Sequence, residues 1–298
     1  MAVKSKLVPG KSRALPVLRA RNLRNLSWLV HGFSTRRGGT TRLYGGDALN
    51  LGFTQDDTRI NVERNRRRFL VSAGAAQGLR PWPLVALKQV HSDLIHPVVS
   101  RKPARLVGDG LVTNIPGVAL AVQTADCFPV LLVDRAHHAL GVFHAGWRGT
   151  VQRIVEKGLG IMRREYGTLP GDVSAVIGPG IQKCCYTVGE ELKARFESQF
   201  GYARELFHEV FVSDPVREKY PLLFLSARAP GHSDFGPQIH LDLAEANRRQ
   251  LLAAGVPPEQ ISLLSHCTSC ETKKFFSHRA EKGMTGRMML VAGIKPKK

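Results

Sequence analysis

Apolar residues recur along the chain in short runs separated by glycine- and polar-rich turns, the pattern of many brief strands with a few helices between them. Leu29 to Thr35 predicts a strand that feeds Arg36-Arg37-Gly38-Gly39-Thr40, a basic, glycine-bearing loop able to hold an anion. Asp57-Thr58 can cap a helix running to about Ala75, with Ile60, Val62, Phe69 and Leu70 inward and arginines outward. Leu87 to Asp93 reads as strand and turn, and Gly108 to Thr113 as a tight turn into a strand. Val118 to Thr124, Phe128 to Asp134 and Leu140 to Phe143 are largely apolar and closely spaced, which favours antiparallel or mixed pairing. Thr150 to Tyr166 has amphipathic spacing at Val151, Ile154, Val155, Leu159 and Met162. Further on come a strand at Val173 to Ile177, a helix opening at Gly189, a Pro- and Gly-interrupted insertion from Asp214 to Gly236, and a helix from Leu241 to Ala254. Closing strands follow at Ile261 to Leu264 and Met288 to Val291. The fold class expected is α/β, a single domain of mixed or antiparallel sheets flanked by helices.

Composition narrows the setting. The 298 residues are 43% hydrophobic, and no apolar run approaches the ~20 residues of a membrane span, so a cytoplasmic protein is expected. Residues 1 to 25 carry seven lysines and arginines and no acid, which predicts a flexible basic tail ahead of one folded domain over 26 to 298. The net charge of +19 would attract polyanions. The basic residues are scattered without interleaved aromatics, however, so dedicated nucleic-acid binding is not expected. Five cysteines, two of them adjacent, suit free thiols or metal ligands better than a disulfide framework.

Three residues at the ends of apolar runs, His91, Cys127 and His144, are a donor set suited to zinc, although their dispersed spacing equally describes a buried small cysteine and two satisfied core histidines. Three protein ligands would leave a position open for water or substrate. A rival set is His266 and the Cys267-Thr268-Ser269-Cys270 pair with His278, although a lone C-x2-C better describes a turn with incidental thiols. Arg148 and the Gly149-Thr150 helix start offer a phosphate site, with Ser34, Arg36 and Arg37 supplying the other side. Asp126 would point away from Cys127 on a regular strand, and only a bulge or a strand end would bring it into a pocket as base or orienting group.

These residues together resemble the YfiH family. The resemblance rests on His31 to Gly39, Gln89-Val90-His91, Gly108-Asp109-Gly110, Thr124 to Cys127, His144 to Thr150, Ile177 to Ile181 and Phe275 to Arg279, and spans about residues 28 to 294. The family has been labelled multicopper polyphenol oxidase, or laccase, and also zinc-dependent purine nucleoside phosphorylase. It implies zinc on His91, Cys127 and His144, with phosphorolysis of adenosine, inosine and methylthioadenosine and an adenosine deaminase side activity. Asp126, Arg148 and Arg37 would then act in catalysis, with Ser34, Arg36, Gly149 and Thr150 binding phosphate. Some members are linked instead to editing of peptidoglycan precursors. Ala280 stands where the family often carries a second arginine, a departure that bears on specificity or rate.

A phosphorylase acting on nucleoside and phosphate is the leading expectation. A copper polyphenol oxidase fits poorly, because the 11 histidines include no His-x-His pair; copper could still occupy the His-Cys-His set in vitro. A non-catalytic polyanion-binding protein is the remaining alternative, distinguishable by salt-dependent binding without turnover.

Overall fold

Strands that are apolar on both faces must be covered on both, and the chain meets this demand by stacking two sheets between helices. In the computed structural model, which describes residues 15–102, 105–211 and 237–297, each large sheet has six strands. The first runs Val17–Leu18, Leu29–Ser34, Met288–Ile294, Ala119–Thr124, Leu84–Lys88, Leu106–Val107. The second runs Ile261–Leu263, Val173–Ile177, Phe128–Asp134, Ala139–Ala145, Gly110–Thr113, Ile95–Pro97. Most pairings are antiparallel and a few are parallel, so both sheets are mixed.

Side-chain alternation sets the layers. Leu131 and Val133 face Phe33, Leu120, Val122 and Leu290 between the sheets, whereas Val130 and Leu132 face outward. That outer face is covered by helix α3 (Ile154–Tyr166) and helix α5 (Leu243–Ala253). The far side of the first sheet is closed by α1 (Arg59–Ala73) through Phe69, Leu70 and Ala73. A third sheet of three short strands, Thr187–Val188, Pro237–Leu241 and Phe207–Phe211, lies beside α4 (Glu190–Glu197). The architecture is a four-layer α/β/β/α domain.

The chain passes directly from the first sheet to the second between Thr124 and Phe128. That crossing creates the functional end of the molecule, because strand ends from both sheets meet there.

Three expectations need correction. Residues 15–25 are part of the domain: Val17–Leu18 pairs with Leu29–Ser34, and Leu15, Ala20 and Leu23 are buried. Only 1–14 of the expected tail lies outside the described residues, as does 212–236, which contains the expected insertion. The helix from Thr150 to Tyr166 is two helices, α2 (Trp147–Val151) and α3, parted by Arg153 at φ 62°. The cause is a tertiary contact: the Thr150 carbonyl accepts a bond from Gln250 Nε2 at 2.7 Å instead of continuing the helical ladder. Ile60, expected inward, is exposed, while Thr58 caps α1 through Asn61 N–H as its sequence suggested.

Candidate active site

A cavity of about 710 Å³ opens where the strand ends meet, and His91, Cys127 and His144 lie on its floor. Their ligand atoms all fall within 4.8 Å of one another. His144 comes from the end of Ala139–Ala145, paired with Pro129, so Cys127 projects just beyond the same edge. His91 follows Leu84–Lys88 in a left-handed turn at φ 59°, and its ring stands edge-on to His144 with centroids 4.8 Å apart. Gly146 allows this convergence by having no side chain. A Cβ there would lie 2.8 Å from Cys127 Sγ and 3.2 Å from the His91 ring.

Asp109 builds the site from beneath. Fully buried in the turn before Gly110–Thr113, it accepts hydrogen bonds from the backbone N–H groups of Val90, His91 and Ser92 and from the Ser92 hydroxyl. Its Oδ1 also accepts from His144 Nδ1 at 2.8 Å, which leaves Nε2 of that ring to face Cys127. One carboxylate therefore fixes the backbone of one histidine and the ring of the other. Gln89 adds a second tie by bonding Gln123 O at 2.8 Å and accepting from Gln123 N at 2.7 Å.

The charges follow from these contacts. Burial opposes ionisation of Asp109, but the bonds from His144 and Ser92 outweigh it and hold the carboxyl at about 2. Burial likewise opposes the Cys127 thiolate, yet the charge and hydrogen bonding of His144 and His91 bring the thiol down to about 6. His144, disfavoured as a cation by burial, is raised to about 9 by the Cys127 thiolate and the Asp109 bond. The metal-free floor is thus a thiolate–imidazolium pair, and its donors fit zinc: a thiolate is already favoured, and a ring is oriented by a carboxylate.

Asp126 reaches the cavity wall because the strand ends at Thr124 and the residue turns to φ 87°. It is not a free base. Its two oxygens accept from Thr268 Oγ1 and from the Arg279 backbone N–H, each at 2.7 Å, and so tie down the segment carrying Arg279.

The expected phosphate cradle is not assembled around the cavity. Ser34 is buried and accepts from Met289 N–H. Arg36 bonds the carbonyls of Tyr44 and Phe275, pairs with Glu281 and stacks on Phe276. Arg37 donates to Lys273 O. Both arginines therefore hold the 272–281 segment in place. Thr150 is buried against Asn247, Gly149 packs under Ser92, and α2 has only five residues. Arg148 is exposed and lies against Trp147 in an adjoining hollow of about 470 Å³, whose wall of Trp147, Tyr186 and Arg279 is shared with the main cavity.

The guanidinium and phenolic groups that do line the cavity are those of Arg279, Arg287 and Tyr186, with the His278 side chain beside them. Burial first, and the Cys127 thiolate second, push the Tyr186 phenol well up, so it remains a proton-bearing donor. Arg279 lies over its ring at 5.6 Å and bonds Thr187 O. Sequence reasoning passed over Asp109 although it sits between two glycines, and over Arg279 although it ends a quoted motif. Tyr186 and Arg287 carried no signal of their own.

A second cluster does not have the composition expected of it. Cys267 and Cys270 are joined by Cys184 and Cys185, and His266 and His278 lie outside the group. His266 is engaged with Glu271 at 2.8 Å.

Comparison with known proteins places this geometry. The family model described as multi-copper polyphenol oxidoreductase laccase matches residues 30–295. The chain is 37% identical over 276 residues to purine nucleoside phosphorylase YlmD of Geobacillus stearothermophilus, covering 89% of each. The crystal structure of that YlmD superposes with a TM-score of 0.76 at 32% identity, covering 96% of this chain and 98% of the other. A purine nucleoside phosphorylase of Deinococcus radiodurans is 36% identical over 282 residues, 94% of this chain and 93% of its own. Adenosine deaminase RL5, from an unknown prokaryotic organism, is 32% identical over 259 residues, 84% and 88% of the two chains. With the fold, the matched span and these relatives in agreement, the chain belongs to the YfiH family.

Proposed function

We propose that the protein is a purine nucleoside phosphorylase that works at the His91, Cys127 and His144 cluster with zinc as its metal. The observation that carries this reading is a thiolate with two imidazoles, buttressed by Asp109, on the floor of a cavity of nucleoside size, in a chain whose relatives bear the phosphorylase name. In the reaction the bond from C1′ of the ribose to the base nitrogen breaks and a bond from C1′ to a phosphate oxygen forms. The base nitrogen takes up a proton, giving free base and ribose 1-phosphate.

When bound, the zinc supplies Lewis acidity to a substrate oxygen. The chain's own groups supply the rest. Arg279 and Arg287 face the cavity as guanidiniums suited to phosphate, and Arg148 draws the anion toward their shared wall from the adjoining hollow. Tyr186 offers a phenolic proton to a sugar or phosphate oxygen. Asp126 holds the Arg279 backbone, and Asp109 holds the tautomer of His144.

The deaminase name of one relative supports a side activity in which water replaces the amino group of adenosine and ammonia leaves. The names of the relatives favour phosphorolysis over peptidoglycan-precursor editing, and the absence of His-x-His pairs tells against a multicopper oxidase. A cytoplasmic setting, where nucleosides and phosphate occur together, suits this chemistry. Among the described residues, no helix is long and apolar enough to cross a membrane.

The test is incubation of zinc-loaded protein with adenosine, with and without phosphate, and separation of the products. Adenine and ribose 1-phosphate appearing only with phosphate is the expected result. Turnover unaffected by removing the metal would overturn the reading.

A further inference from the structure

The cysteines outside the cavity also converge. Cys184 and Cys185 lie in the turn after Val173–Ile177, and Cys267 and Cys270 lie in a turn more than 80 residues later. All four sulfurs fall within 4.8 Å of one another. Cys270 Sγ is 3.5 Å from Cys184 Sγ and 3.3 Å from Cys185 Sγ. These separations are far beyond the ~2.05 Å of a disulfide. They lie close to the edge of a tetrahedron of sulfurs around one zinc, which is about 3.8 Å for Zn–S bonds of ~2.3 Å.

The surrounding backbone is built to hold such a group. Adjacent cysteines on a strand would point to opposite faces, but here Cys185 N–H and Tyr186 N–H both bond Gln182 O, and the turn brings both sulfurs to one side. Gln182 N–H points at Cys267 Sγ at 3.5 Å, a bond that stabilises a thiolate. The two turns are also joined through Thr268 N–H to Gly180 O at 3.1 Å.

We infer that Cys184, Cys185, Cys267 and Cys270 form a second metal site, a closed four-thiolate zinc centre that braces the cavity wall. Soft thiolates in a tetrahedral set select zinc, and binding releases the thiol protons to solvent without any redox step. The first turn leads to Tyr186 and the second segment to Arg279, so the zinc joins the two pieces of chain that present these groups to the cavity. Its role is structural, because no ligand position is left open for substrate.

Metal analysis of the full-length holoprotein tests this independently of activity. About two zinc ions per chain are expected, and X-ray absorption should give an average of about two and a half sulfurs per zinc, where the cavity site alone would give one. Cys127→Ala should retain about one zinc with an all-sulfur environment. Cys267→Ser with Cys270→Ser should retain about one zinc with mixed nitrogen and sulfur ligands. Should that double variant fail to fold, the wild-type sulfur count still decides. One zinc per chain lost entirely in Cys127→Ala, a disulfide among these cysteines in the purified protein, or iron in place of zinc would each overturn the assignment. If phosphorolysis proved absent while the sulfur count held, only the proposed function would fall.

Discussion

The two cysteine clusters of this chain are built on opposite plans. At the cavity floor, His91, Cys127 and His144 stand at or just past strand ends, with a buried carboxylate gripping both histidines and one side of the set facing open space. In the other, four sulfurs come from two turns held by a few backbone bonds. On the assignments proposed above, the difference teaches how one fold would divide metal chemistry. A site that must admit substrate takes rigidity from its scaffold, whereas a closed site can supply rigidity to turns that have little of their own.

Breaking the floor should have the largest effect. Cys127→Ala removes the only sulfur ligand, and we expect a loss of about a thousandfold or more in phosphorolysis together with loss of the cavity metal, read by product chromatography and metal analysis. Asp109→Asn leaves the ligands in place but takes away the charge and acceptor that orient His144. Zinc affinity at the floor should fall about 10- to 100-fold, measured by chelator competition.

The pH dependence of the metal-free protein sharpens the same point. Asp109 is held at about 2 against an ordinary 3.8. Its contribution, on the order of 2 kcal/mol, is fully present above pH 3.8 and is lost as the pH falls toward 2. Denaturant unfolding of wild type and Asp109→Asn should therefore converge at the acid end of that window and differ above it. Cys270→Ser should act more gently, raising KM severalfold with kcat nearly unchanged, because it loosens the wall carrying Tyr186 and Arg279 without touching the floor. Arg37→Ala should have the smallest effect, a change of less than about twofold in kcat/KM, since its side chain bonds Lys273 O outside the cavity.

Much of the scaffold was legible because continuous apolar strands and capped helices report their own burial. The His91, Cys127 and His144 set was legible as chemistry, and its neighbours were not. Asp109 reads as one residue of a glycine turn until the fold closes three backbone amides, a hydroxyl and an imidazole around it. The basic stretches misled for the converse reason. Arg36 and Arg37 look like an anion loop, yet apart from Tyr44 O their partners are carbonyls and an acid of the 272–281 segment, far away in sequence. The same distance hid the second cluster, in which Cys184 and Cys185 displace the histidines that lie beside Cys267 and Cys270 in the sequence. The break between α2 and α3 depends on Gln250, about one hundred residues onward, which no local periodicity contains.

The most direct measurement compares Cys127→Ala and Cys270→Ser in phosphate-dependent release of adenine from adenosine. The floor cluster predicts that the first variant loses the reaction while the second keeps its kcat. Equal losses in the two variants, or adenine release by Cys127→Ala at the wild-type rate, would contradict it.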